Sequence, residues 1–326
     1  MAFELTTETA PSWLAEHGLN PRGEHLVAVE LEGGVSASVI AVTGPGVSVI
    51  VKQALPKLRV ADRWEANVDR TETEAAALQL LGELTPGVVP RILAHDPHVH
   101  VVAMELLPAE ARNWQAEIGE GRAHAELGRW AGETLGVWHA GTAERPELAG
   151  QFDRFDAFEE LRLSPFHETV MVRRPELADA VGARVAELRS LRRCLVDGDY
   201  APKNMLVAPD GRAWVLDLEV AHIGNPVFDL AFFLSFPLLS AVRWPALLPE
   251  MRTLVDGFLE GYAARAGDGF AGDPEYITGH TACLTLARTD GLSPAAFLDA
   301  GSRKRARDVG TRLLNRPAEG LWSWAD

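Results

Sequence analysis

The stretch Val196-Asp197-Gly198-Asp199-Tyr200-Ala201-Pro202-Lys203-Asn204, followed by VLDLEVAHIGNPVFDLA from Val215 to Ala231, decides how this chain reads. Asp199 and Asn204 lie five residues apart, and Asp217 follows 13 later, after the turn Pro209-Asp210-Gly211 and the apolar run Ala213 to Leu216. An Asp, an Asn and a second Asp in this order form the core of a phosphoryl-transfer site. One carboxylate orients the attacking hydroxyl and accepts its proton, and two oxygen donors serve a Mg²⁺ on the nucleotide phosphates. Asp199 is therefore the candidate catalytic base and a contact of the acceptor hydroxyl. Asn204 and Asp217 are the candidate metal ligands. A lone Asp-Gly turn would carry none of this; the order and spacing do. Glu219 either reaches a second metal or the substrate, or braces the loop. Asp229 reads as a structural carboxylate at a helix start, holding backbone amides.

Bulk properties narrow the class. The chain has 326 residues, 47% of them hydrophobic, enough for two domains or one bilobal unit and inconsistent with disorder. No apolar run approaches the roughly 20 residues a membrane span needs, and MAFELTTETA lacks a signal pattern. The two cysteines, Cys194 and Cys283, suggest neither a disulfide framework nor a zinc site, and read as buried apolar residues in a reducing cytoplasm. A net charge of -15 argues against nucleic acid as a partner.

The segment before Leu107 is rich in strands. A short helix over Thr7–Gly18, capped by Thr with Pro in its first turn, precedes strands at His25–Glu32, Ala37–Val42 and Val47–Gln53. Thr71–Leu84 reads as a helix with a Thr71–Glu74 capping box. Arg91–Ala94 and Val99–Glu105 read as two more strands. After Leu107 helical patterns dominate, at Arg122–Gly141, Phe155–Leu163, Pro175–Leu188, Trp244–Ala264, Ile277–Asp290 and Ser302–Leu314. The fold class is α+β: a small antiparallel-sheet lobe over 1–107 that binds nucleotide, then a larger helical lobe over 108–326 that carries catalysis and the acceptor.

In the small lobe, Gly33, Gly34, Val35 and Ser36 between two strands can bring backbone N–H groups to phosphates. Lys52, the sole lysine of an apolar strand, can pair with phosphates and with a helix Glu, for which Glu74 is preferred over Glu72. Met104, Glu105 and Leu107 lie where a strand runs into an interlobe hinge whose backbone can hydrogen-bond a purine. His95, His98 and His100 read as a solvated hairpin without a matching carboxylate helix rather than a metal site. His139 reads as a satisfied core histidine, and Arg303-Lys304-Arg305-Arg307 as a solvated helix face.

These residues resemble a family. VDGDYAPKNMLV with VLDLEVAHIGNPVFDLA is similar to the motif pair of the aminoglycoside phosphotransferase superfamily, small-molecule relatives of protein kinases. LEGGVSASVIAV and VKQALPKLRV resemble the glycine loop and lysine strand of its methylthioribose kinase branch, and LRLSPF and LARTDGLSP resemble segments of bacterial kinases near that branch. The resemblance spans nearly the whole chain. It implies a bilobal protein-kinase-like fold, Asp199 as base, Asn204 and Asp217 on Mg²⁺, and Lys52 with the helix Glu on the phosphates. Two departures stand out. The family usually has His two residues before the base, where this chain has Asp197. The methylthioribose kinase branch has a Ser-type variant at Asn204 and Pro-Glu after the metal Asp, where this chain has Leu218-Glu219.

The leading functional expectation is a cytoplasmic ATP- or GTP-dependent kinase, monomer or homodimer. It would phosphorylate a hydroxyl of a small sugar-containing molecule, an antibiotic (antibiotic resistance or biosynthesis) or a nucleoside or sugar metabolite. Arg162 and Arg288, outside the nucleotide motifs, are candidate acceptor contacts; Arg288, with the near balance of acidic and basic residues from Pro237 onward, favours a neutral or anionic acceptor over an aminoglycoside. The alternatives are methylthioribose kinase in methionine salvage and, from another class, an inactive nucleotide-binding pseudokinase motivated by Asp197.

Overall fold

The computed structural model describes residues 3–31, 36–59 and 64–325. It resolves into two compact units, Met1–Ala111 with Ala208–Glu219, and Arg112–Val207 with Val220–Asp326. The first unit thus takes its last segment from the middle of the chain.

The first unit is built on a five-stranded antiparallel sheet. Its strands are β1 (Val27–Glu30), β2 (Ala37–Gly44), β3 (Val47–Ala54), β4 (Ile92–Asp96) and β5 (Val101–Glu105), in the order β1-β2-β3-β5-β4. The β-branched residues of β2 and β3 set the register. Val39 pairs with Lys52 across β2–β3, and Lys52 pairs with Val102 across β3–β5. Lys52 thus occupies a central strand. Val42, Val49, Val51, Val101 and Ala103 form a core under helix α1 (Ala10–Glu16), which contributes Trp13 and Leu14. Helix α2 (Arg70–Leu84) follows the sheet's third strand. The expected Thr71–Glu74 capping box does not form. The N-cap is Asp69, Thr71 lies inside the helix, and the Glu74 carboxylate is drawn away by Lys52. The strand Ala213–Val215 is tied into this unit by the amide of Val215, which donates to Val88 O at 2.8 Å.

The second unit is helical: α3 (Trp114–Gly119), α4 (Leu127–Thr142), α5 (Ala149–Phe152), α6 (Phe155–Phe158), α7 (Thr169–Arg173), α8 (Ala178–Ser190), α9 (Val227–Arg243), α10 (Leu248–Ala266), α11 (Pro274–Asp290) and α12 (Ala300–Asn315). Two short antiparallel pairings carry the motif loop, Cys194–Val196 with His222–Gly224 and Arg112–Asn113 with Met205–Val207. The helix expected over Phe155–Leu163 stops at Phe158 and continues as a π-helix from Glu159 to Glu168, with Pro165 inside it. Proline cannot donate an amide to the helical ladder, and widened turns of this kind are common at functional sites.

Helices α4 and α10 cross with their backbones in contact. A Cβ on Gly128 would lie 2.1 Å from Leu254 O, and one on Gly132 would lie 2.0 Å from Phe258 O. From the other side, a Cβ on Gly261 would lie 2.4 Å from Arg129 O. Glycines four residues apart line one stripe of a helix, so the two backbones touch where any side chain would hold them apart. No helix among the described residues is long and apolar enough to cross a membrane.

Candidate functional site

In the first unit the site is a buried cation ringed by carboxylates. Lys52 Nζ donates to Glu74 Oε1 at 2.8 Å and to Asp217 Oδ1 at 2.5 Å. Burial alone lowers a lysine pKa, but Asp217, Glu74 and Glu219 outweigh it and hold the ammonium charged. Burial pushes the Glu74 carboxyl up while Lys52 pulls against it. Asp217 takes a left-handed backbone, φ 66°, unusual for a residue other than glycine. Glu219, left open between metal, substrate and bracing, accepts from Arg70 Nε at 3.1 Å. Arg70 was not singled out from the sequence. It is buried, and its Nη2 also donates to the carbonyls of Ser36 and Leu55 at 2.5 and 2.7 Å. It therefore ties α2 to Ser36, just before β2, and to Leu55, just after β3. Of that hairpin's candidates only Ser36 is described; Gly33, Gly34 and Val35 lie outside the described residues.

Met104 is buried in β5, paired with Ile50 and Ile92. Glu105 and Leu107 line a cavity of about 510 Å³ with Ser48, Leu106, Pro108, Ala109, Arg212 and Trp214, all of the first unit. The expectation that the three histidines lack a carboxylate helix is corrected. Glu72 of α2 lies 2.7 Å from His95 Nε2 and meets His100 Nδ1 at 3.3 Å. Glu72 thus faces the hairpin while Glu74, two residues on and on another helix face, faces Lys52. Among the described residues no group of three or more His, Cys, Asp or Glu side chains could hold a metal ion by itself.

In the second unit the arrangement is inverted: a buried carboxylate ringed by cations. Asp199 Oδ1 lies 3.1 Å from Arg162 Nη2, and Asp199 Oδ2 accepts from Lys203 Nζ and, at 2.6 Å, from Asn204 Nδ2. The loop that presents Asp199 is anchored from beneath. Asp229, in the first turn of α9, accepts from the amides of Asp197 and Gly198 at 2.7 and 2.8 Å. His139 Nε2 lies 3.1 Å from Asp229 Oδ2, and His139 Nδ1 2.9 Å from the Tyr262 hydroxyl. With the hydroxyl donating to Nδ1, Nε2–H donates to the carboxylate. The close α4–α10 crossing brings His139 and Tyr262 within reach of each other, so the glycine stripe braces the loop indirectly. Asp197 Oδ1 accepts from the Asp199 amide at 2.9 Å, holding the turn in place of the usual His.

Arg162, an expected acceptor contact, is occupied by the loop. Its Nε donates to Gly198 O at 2.6 Å, Nη1 to Leu161 O at 2.7 Å, and Nη2 faces Asp199. It holds Gly198 and Asp199 of that loop. Arg288 stands apart from that loop. Its Nη1 donates to Ser293 O at 2.5 Å and Oγ at 3.1 Å, its Nε has no hydrogen-bond partner, and 7% of the residue is exposed. Lys203, not singled out from the sequence, was detectable there as the lone cation between Asp199 and Asn204.

The model of the APH phosphotransferase enzyme family matches residues 27–276. Methylthioribose kinase of Bacillus pumilus (strain SAFR-032) is 25% identical, covering 91% of this chain and 87% of its own length. Its counterpart from Bacillus mycoides (strain KBAB4) is 24% identical, covering 97% and 94%. Among solved structures, a spectinomycin phosphotransferase in complex with ADP and spectinomycin superposes with a TM-score of 0.58 at 11% identity, covering 97% of this chain and 100% of its own. A choline/ethanolamine kinase family protein from Mesorhizobium loti gives a TM-score of 0.52 at 18% identity, covering 97% and 95%. The fold is therefore the α+β kinase-like fold, and with the family model spanning most of its length this chain belongs to the APH phosphotransferase enzyme family.

Proposed function

We propose that the protein transfers the γ-phosphoryl group of ATP to a hydroxyl of a small sugar-containing molecule, with Asp199 as the base. The observation that carries this reading is the anchored Asp199: a buried carboxylate bonded to Asn204 on a loop whose amides are held by Asp229. A base needs that fixed orientation more than it needs basicity, since it accepts the hydroxyl proton late in transfer. Lys52 serves the donor phosphates, oriented by Glu74, and Arg70 holds Ser36. ADP in the spectinomycin phosphotransferase supports an adenine donor.

Asn204 and Asp217 offer one neutral and one charged oxygen, donors that fit a hard cation such as Mg²⁺. Asn204 commits its Nδ2 to Asp199, which leaves its Oδ1 for the ion. When bound, Mg²⁺ neutralises phosphate charge.

A second reading is phosphorylation of methylthioribose, favoured by relatives of that name that align over nine-tenths of this chain. An inactive pseudokinase is disfavoured by the Lys52–Glu74 pair and the placement of Asp199. Release of ADP from ATP is measured against a panel of methylthioribose, spectinomycin, aminoglycosides, nucleosides and free sugars. Acceptor-dependent release supports the reading; none with any acceptor, at any Mg²⁺ concentration, returns the pseudokinase.

A further inference from the structure

Arg162, Lys203 and Arg288 stand on one aromatic platform in the second unit. Arg162 lies over Phe166 and Phe232, with its guanidinium carbon 5.6 and 6.0 Å from the ring centres. Lys203 Nζ lies 5.9 Å from Phe232. Arg288 lies over Phe166 and Phe236 at 5.9 and 5.5 Å. Phe166 and Phe232 are themselves stacked, 6.1 Å apart. Ring faces attract cations, most strongly where water is excluded.

Among the described residues, the carboxylates near these cations are already engaged. Asp199 is shared by Arg162 and Lys203. Asp197 bonds the Asp199 amide. Asp290, two residues beyond Arg288, is taken by Arg307 and Arg174. Arg288 is thus a buried guanidinium whose acceptors are neutral, the carbonyl and hydroxyl of Ser293, with Nε unengaged. Burial lowers its pKa to about 10, with Asp199 raising and Arg162 lowering it. A buried cation without an anion is costly. In a chain of net charge -15, three cations around the single carboxylate Asp199 also run against the prevailing field.

We propose that the acceptor is itself an anion, a small polyhydroxylated molecule carrying a carboxylate or phosphate that seats on Arg288 and Lys203 while its hydroxyl meets Asp199. This rests on the kinase reading and narrows its substrate class. The planar guanidinium suits two oxygens of one anionic group. Lys203, whose side chain is 31% exposed, retains donors beyond its bond to Asp199. Arg162 is spent on the loop and adds only field.

An anion could also come from the donor, as the phosphoryl group in transit, and the test separates the two. Inorganic phosphate is titrated by calorimetry into the wild type, Arg288→Gln and the surface control Arg316→Gln, with and without a saturating non-hydrolysable ATP analogue and Mg²⁺. The expected result is saturable binding weakened at least about tenfold in Arg288→Gln, unchanged in Arg316→Gln, and retained with the analogue. Equal binding in wild type and Arg288→Gln, or no binding, overturns the proposal. Displacement by the analogue overturns it in favour of the transferred phosphoryl group. Should Arg288→Gln not fold, ADP release by the wild type is compared for galactose, galacturonate and galactose 1-phosphate. The anionic members are expected to show the higher kcat/KM; a preference for galactose, or transfer to galactose and to neither anion, overturns the proposal. Phosphate bound in the first assay with no transfer to any acceptor would count against the kinase reading instead. Transfer only to neutral acceptors would count against the anionic class alone.

Discussion

In the first unit one ammonium, Lys52, sits among Glu74, Asp217 and Glu219, whereas in the second unit one carboxylate, Asp199, sits among Arg162, Lys203 and, farther off, Arg288. The two sets are inverses in charge, and each sign suits its partner. A carboxylate-rich set with one fixed cation suits the metal-bearing phosphates of a nucleotide. A cation-rich set with one fixed carboxylate suits a hydroxyl that must be deprotonated beside negative charge. The supports differ too. Lys52 is held by strand register across a continuous sheet. Asp199 hangs on a loop, and its rigidity is borrowed from Asp229, His139 and a helix crossing without side chains at its centre.

The largest expected effect separates the roles. Asp199→Asn should lower kcat by about 10²- to 10⁴-fold, the range for loss of a general base. Steady-state kinetics read this directly, and a variant that keeps a tenth of wild-type kcat would leave Asp199 without that role. Next is the helix crossing. Gly132→Leu drives a side chain into Phe258 O and should destabilise the protein by about 3 kcal/mol, at the upper end for overpacking. Urea unfolding measures it, and an unchanged midpoint would mean that α4 and α10 are not in backbone contact.

Acid should act on the second unit. Burial pushes His167 down to about 3 and His222 down to about 4. A histidine whose folded pKa lies below its unfolded one favours unfolding when protonated. Its contribution is complete above about pH 6.5 and is lost as pH falls toward about 4, at about 1.4 kcal/mol per pH unit for each group. Stability measured from pH 7 to 4 should fall with that slope, and His222→Gln should flatten it; parallel curves would contradict the assignment. The smallest effect concerns Asp197. Because its Oδ1 caps the Asp199 amide, a bond His can reproduce through a ring nitrogen, Asp197→His should change kcat by no more than a few-fold. A large gain would mean that the third carboxylate suppresses activity.

Much of this was legible in the sequence where a local rule and the tertiary structure agree. The sheet strands, Lys52 on an apolar strand and the Asp199–Asn204 spacing are of that kind. What stayed hidden depended on distant partners. Helix α9 was read only as a helix start at Asp229, because it is apolar and buried along almost its whole length and Pro237 argues against a helix. The role of the glycines at 128, 132 and 136 shows only when α10 stands against them. The capping box at Thr71 satisfied a local pattern that Lys52 overrode. Arg70 and Glu219 lie 149 residues apart, and no short-range pattern links them.

The most direct test compares nucleotide binding by Lys52→Met and Asp199→Asn, side by side, by calorimetry with a non-hydrolysable ATP analogue and Mg²⁺. If the ammonium set serves the donor and the carboxylate set the acceptor, Lys52→Met weakens binding by about tenfold or more, and Asp199→Asn stays within about threefold of wild type. Equal losses in both, or a greater loss in Asp199→Asn, would contradict this division of labour.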